Sequence, residues 1–199
     1  MELHGENLTL ERGGRAVLRG VSFAVRAGEL LQITGPNGSG KSSLLRLIAG
    51  LNEASAGALR LEGGHGELAI GQQAHLIAHQ EAVKAALSVA ENLAFWSGFL
   101  GGGDVDGALA AFDLERLSTY PAGLLSAGQK RRLALARLVL VPRAIWLLDE
   151  PTVGLDQASQ ASLAAIMTAH LTKGGLILAA THVPLGIEAT GRLDMGRSP

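Results

Sequence analysis

The segment Gly35-Pro36-Asn37-Gly38-Ser39-Gly40-Lys41-Ser42 matches the pattern G-x-x-x-x-G-K-[ST] without exception. Its glycines let backbone N–H groups converge on phosphate oxygens. Lys41 can reach the β and γ phosphates of a nucleotide, Ser42 can ligate magnesium, and Ser43 belongs to the same phosphate-binding set. Such a loop carries meaning only between a strand and a helix. Here Glu29-Leu30-Leu31-Gln32-Ile33 runs straight into it, and Lys41 to Ala49 reads as a helix that Gly50 is placed to end. An α/β core is therefore expected.

The remaining pattern fits that core. Leu8-Thr9-Leu10 and Val21 to Val25 read as extended stretches, with Gly13-Gly14 and Arg26-Ala27-Gly28 as turns. Residues 51–80 look like short strands and turns. From Val89 to Leu140 the pattern is mainly helical, interrupted by Gly101-Gly102-Gly103 and Pro121. Ala144 to Leu148 and Leu176 to Ala180 are short continuous apolar runs, as expected of strands covered on both faces. Between them, Asp156 can cap a helix running to about Thr172, with Gly174-Gly175 ending it. The chain closes soon after His182, so no regulatory domain is expected.

Composition narrows the function classes. The chain has 199 residues, 47% of them apolar, which suits one globular domain spanning 1–199. A formal net charge of -1 gives no general pull toward nucleic acid or anionic lipid, so no nucleic-acid partner is expected. The absence of cysteine excludes disulfides and thiolate metal sites. The amino terminus carries acidic residues and no apolar h-region, and no apolar run approaches a bilayer span. Any membrane contact is expected through a partner subunit only.

Asp149 and Glu150 end an apolar strand, at the edge where open α/β sheets bind ligands. Asp149 would hold magnesium and Glu150 would polarise an attacking water as general base. Alone, an Asp-Glu-Pro is as readily a solvated turn. Ser126-Ala127-Gly128-Gln129 precedes Lys-Arg-Arg-Leu-Ala-Leu-Ala-Arg and forms a capping-box pattern at a helix start. A capped helix amino terminus is also an anion site, so the structural and functional readings agree. His75 and His79 have metal-ligand spacing only on a helix, and here they flank a strand end. Lys130-Arg131-Arg132 reads as a solvated helix face.

Taken in order, the phosphate loop, Gln80, Leu125 to Gln129, Asp149-Glu150, Asp156 and His182 resemble the ATP-binding subunits of ABC transporters over nearly the whole chain. The resemblance implies a P-loop NTPase of the ABC type, α/β, with a small antiparallel β subdomain and an inserted helical subdomain at about residues 81–141. It implies ATP and Mg2+ as cofactors and a head-to-tail homodimer. Ser126, Ala127, Gly128 and Gln129 would then contact the ATP held by the other protomer. Gln80 would contact magnesium and water, His182 would contact the γ phosphate, and Asp156 would be either a residue of the interface-crossing D-loop or only a helix cap. Within this family, Ile77 to Trp96, the compact length and Ser-Ala-Gly-Gln-Lys-Arg-Arg are similar to the CcmA family of cytochrome c maturation ATPases. That implies a CcmB-like integral subunit, a CcmC-like further partner, and a position on the cytoplasmic face of the bacterial inner membrane. Glu81 and Lys84 would lie beside the groove that receives the membrane subunit.

Two departures stand out. Ala127 replaces the first glycine of the LSGGQ pattern, while Gly128 is kept. Arg12 stands where the family has an adenine-stacking aromatic; a guanidinium plane can also stack on a base. The competing classes are another small ABC exporter, a soluble ABC ATPase of DNA repair or translation, and a nucleotide-sensing scaffold. The second typically needs a coiled-coil insertion or fused ATPase domains, and the third is opposed by intact Lys41, Glu150 and His182.

Overall fold

The computed structural model describes residues 1–196. Two sheets organise it. Strands β1 (Glu2–Arg12), β2 (Arg15–Arg26) and β4 (Ala56–Glu62) form an antiparallel sheet in the order β2-β1-β4. Strands β3 (Leu30–Thr34), β5 (Ala74–Ile77), β6 (Ile145–Asp149), β7 (Leu176–Ala180) and β8 (Gly191–Asp194) form a parallel sheet in the order β5-β6-β7-β3-β8. The P-loop α/β class read from sequence is the class observed. The helices are α1 (Lys41–Ile48), α2 (Val89–Leu100), α3 (Val105–Ala111), α4 (Ala127–Leu140) and α5 (Gln157–Thr172).

The parallel sheet is a wall between two cores, and strand periodicity shows it directly. Leu31, Ile33, Ile145, Leu147, Leu176, Leu178 and Ala180 pack with α1 and the antiparallel sheet. Leu30, Trp146, Leu148, Ile177 and Ala179 face the other way, toward α4, α5 and the α2–α3 helices. Successive side chains on a strand point to opposite faces, so a strand buried on both must be apolar at every position. That is why Ile145–Asp149 and Leu176–Ala180 are buried throughout.

Helix ends are set by local chemistry. Ser88, Asp104, Ser126 and Asp156 each accept a hydrogen bond from the backbone N–H three residues on, capping α2, α3, α4 and α5. The capping box read from Ser126 and Gln129 is present: Gln129 N–H donates to Ser126 Oγ at 3.2 Å and Ser126 N–H donates to Gln129 Oε1 at 2.8 Å. Among the described α-helices, α1 alone has no side-chain cap.

Helix α4 is tied to the sheet by cations, which corrects the reading of Lys130-Arg131-Arg132 as a solvated face. Arg131 is 4% exposed. Its place on the helix turns it inward, and backbone carbonyls rather than carboxylates satisfy it. Further along, buried Arg137 donates to the Leu76 and Ala134 carbonyls and lies 4.5 Å over the Trp96 ring. Burial lowers its pKa to about 10, which still leaves it cationic at neutral pH.

His75 sits on β5, buried, with Nε2 2.7 Å from the Val141 carbonyl. Desolvation lowers its pKa from 6.5 to about 4. Between those values the unfolded chain binds a proton at His75 and the folded chain does not, so stability falls as pH drops through that window. The contribution is on the order of 3 kcal/mol, fully present above pH ~6.5 and lost by pH ~4. Urea unfolding followed from pH 7 to pH 4.5 is expected to show this slope, and His75→Gln to flatten it.

Candidate functional site

The phosphate loop joins β3 to α1 and is held from outside by β2. Gly40 has φ +96°, and a Cβ there would lie 2.7 Å from the Val17 carbonyl oxygen and 2.6 Å from Leu18 Cδ2. Only glycine permits both the left-handed backbone and that approach. The uncapped first turn of α1 contains Lys41, Ser42 and Ser43, so its free N–H groups and dipole face the loop. Lys41 is 8% exposed, and its Nζ donates to the carbonyls of Gly35 at 2.7 Å and Pro36 at 3.0 Å. Those bonds fold the ammonium across the loop. Ser39 Oγ is buried in the same loop without a partner among the described residues.

A cavity of about 350 Å³ opens here, lined by Asn37, Gly38, Gly40, Lys41, Ser42 and Ser43, by Val17 of β2, and by His79, Asp149 and Glu150. Cation and hydroxyl from α1 thus meet two carboxylates from the end of β6, with His79 joining them from just past β5. Asp149 is 6% exposed at the last position of β6. Glu150 follows with φ +46°, a left-handed backbone unusual for a residue with a side chain. Its carboxylate Oε2 accepts 2.9 Å from Thr181 Oγ1, and its N–H donates to the Ala180 carbonyl. Thr181 is wholly buried and also receives the Val183 N–H, so its hydroxyl is locked in place.

The other predicted site residues fall elsewhere. Gln80 lines an adjoining cleft of about 820 Å³ with Glu81, Lys130, Arg131 and Glu150. His182 follows Thr181 and opens onto a separate cleft of about 590 Å³ with Gln32, Glu188 and Arg192. Arg12 pairs with Arg15 at the tip of the β1–β2 hairpin and does not line the phosphate cavity. Asp156 is the cap of α5; hydrogen bonds with Ser159 hold its carboxyl below the ordinary value. None of Ser126, Ala127, Gly128 or Gln129 lines this chain's phosphate cavity. They form an outward edge, and Gly128 packs so tightly on the turn before α5 that a Cβ would lie 2.8 Å from the Gly154 carbonyl oxygen.

Residues 18–153 match the family model described as ABC transporter. The cytochrome c biogenesis ATP-binding export protein CcmA of Nitrobacter winogradskyi is 55% identical over 191 residues, 95% of this chain and 96% of that protein. The chain belongs to the CcmA family of ABC transporter ATP-binding proteins. Among solved structures, an ATP-binding subunit of an ABC transporter matches with a TM-score of 0.83 and 25% identity, covering 97% of this chain and 88% of that one. A dimeric ATP-binding cassette in a post-hydrolysis state with ADP and phosphate has the same fold, with a TM-score of 0.79 and 24% identity over 91% of this chain and 88% of that one. As an ABC ATPase, this CcmA-family chain binds and hydrolyses ATP.

Three residues of the site carried little signal in the sequence. Thr181 and His79 are among the first polar residues past the apolar runs of β7 and β5, and that position was the available clue. Arg131 was hidden because a cation in a basic triplet reads as surface. The Gly128 contact predicts an asymmetry within the signature. Ala127 is exposed, so Ala127→Gly is expected to change ATPase activity by no more than about twofold. Gly128→Val must push α4 from the Gly154 turn and is expected to cost about 100-fold in turnover, measured by phosphate release.

Proposed function

We propose that this chain is the ATP-hydrolysing subunit of a membrane complex serving c-type cytochrome maturation, by haem export or haem delivery to the periplasm. The convergence of Lys41, Ser42, Asp149 and Glu150 on one cavity carries the ATPase half of this reading. The likeness to curated CcmA proteins carries the pathway half. Among the described residues no helix is long and apolar enough to cross a membrane, so the coupling is assigned to an integral CcmB-like subunit, with a CcmC-like protein as further partner. The place of action is then the cytoplasmic face of the inner membrane.

In this mechanism the α1 amino terminus and Lys41 bind the β and γ phosphates. The oxygen donors of Ser42 and Asp149, joined by Gln80 from the adjoining cleft, are a hard set suited to magnesium. Bound there, Mg2+ would neutralise phosphate charge. Glu150 Oε1 is the oxygen left to take a proton from water, because Thr181 occupies Oε2. The Ser126–Gln129 edge completes the ATP site of a second copy, and Asp156 travels with it at the interface. His182 is assigned to the γ phosphate and Arg12 to the adenine face from their order in the chain.

Lys41→Ala is expected to abolish productive ATP binding, read by fluorescent nucleotide titration. Glu150→Gln is expected to bind ATP, lose turnover and accumulate as a dimer in size-exclusion chromatography. A Glu150→Gln protein that stays monomeric with saturating MgATP contradicts the head-to-tail clamp. Purification from membranes through a tag on this chain tests the pathway: recovery of a CcmB-like subunit is the expected result, and a lipid or drug transporter subunit overturns it.

A further inference from the structure

Arg131 is the second cation of a basic triplet on α4, yet its side chain leaves solvent and enters the space behind the reactive carboxylates. All three guanidinium nitrogens are used. Nε donates to the Pro151 carbonyl at 3.3 Å, and Nη1 donates to the Ala78 carbonyl at 2.9 Å. Nη2 donates to the carbonyls of Asp149 at 2.8 Å and Glu150 at 2.7 Å. Burial lowers its pKa from the ordinary value, while the nearby carboxylates of Glu81, Asp149 and Glu150 pull it back up. Among the described residues no carboxylate forms a salt bridge with it. The guanidinium is therefore spent on backbone.

The acceptors explain what that arrangement does. Asp149, Glu150 and Pro151 are consecutive, and in an extended strand consecutive carbonyls alternate in direction. Here three of them meet one cation. Glu150 permits this by taking φ +46°, which turns its peptide out of the strand. Three convergent carbonyl dipoles repel one another, and a left-handed glutamate carries its own steric cost. A buried planar cation with fixed donors offsets both. The fourth acceptor, Ala78, immediately precedes His79 and Gln80, so the same side chain also fixes the loop that walls the phosphate cavity and its adjoining cleft.

We infer that Arg131 is a positioning residue for hydrolysis: it holds the backbone turn that aims the Glu150 carboxylate, and thereby ties the Ser126–Gln129 edge to the reactive carboxylate of its own chain. The inference rests on Glu150 acting as general base. Arg131 follows Gln129 on the same helix, so a displacement of the α4 amino terminus by a second copy's nucleotide is passed through one rigid fork to Glu150. A lysine cannot reproduce it, since a single ammonium cannot span donors set on three separate nitrogens.

The test compares Arg131→Gln, Arg131→Lys and Glu150→Gln in the complex purified from membranes by a tag on this chain. Turnover, MgATP affinity and thermal midpoint are measured for each. Arg131→Gln is expected to lose about 10–100-fold in turnover with MgATP affinity kept within about threefold, assayed well below its thermal midpoint. Arg131→Lys is expected to recover part of the turnover, because the buried charge remains and the fork does not. Should Arg131→Gln fail to fold, the folded lysine variant decides: wild-type turnover there overturns the inference. Turnover and affinity falling together in Arg131→Gln, in proportion to lost folded protein, also overturns it. Hydrolysis surviving in Glu150→Gln instead sinks the general-base reading itself, whereas loss there with normal turnover in Arg131→Gln removes only the positioning role.

Discussion

Burial of the parallel sheet on both faces is the constraint from which the rest of the molecule follows. With Leu31, Ile33, Leu147 and Leu178 sealed on one side and Trp146, Leu148 and Ile177 on the other, no polar side chain is tolerated within the strands β6 and β7 until their carboxyl ends. Polar chemistry is pushed to where the strands stop. Asp149 and Glu150 leave β6, Thr181 and His182 leave β7, His79 and Gln80 leave β5, and the phosphate loop leaves β3. The site is an edge effect of a double-sided core.

Parts of this were legible in the chain because they are local. The hydrophobic runs Leu176 to Ala180 and Ala144 to Leu148 mark buried strands, since nothing else of that length excludes polar residues so completely. The helix start at Ser126 is legible because a capping box needs only residues three apart. The strands of the antiparallel sheet were recognised but underestimated in length: β1 and β2 run Glu2–Arg12 and Arg15–Arg26. The missed portions hold buried Leu3 and Leu18, but the exposed pairs Glu6-Asn7 and Arg19-Gly20 cut them off from the apolar stretches at Leu8 to Leu10 and Val21 to Val25.

What sequence could not reveal is the set of contacts between distant segments. Arg131 meets Ala78 and Asp149 through the fold, and no spacing rule announces it. The same holds for Thr181 and Glu150, which lie just past the ends of neighbouring strands, β7 and β6, joined by a crossover helix, α5. Gln80 and His79 are adjacent in the chain yet differ in reach: His79 lines both the phosphate cavity and the cleft beside α4, whereas Gln80 lines only the cleft. Single-residue differences in direction decide such roles, and they depend on backbone torsions that composition does not encode.

The left-handed backbone of Glu150 has a consequence for the engineering of heat tolerance. A residue with a side chain at φ +46° carries about 1 kcal/mol of steric cost that glycine would release. Selection for folding alone would therefore favour replacing it, and every such replacement removes the carboxylate. Any laboratory lineage of this chain evolved toward a higher melting temperature needs a second selection, for turnover, or it will drift toward a hardened but silent protein.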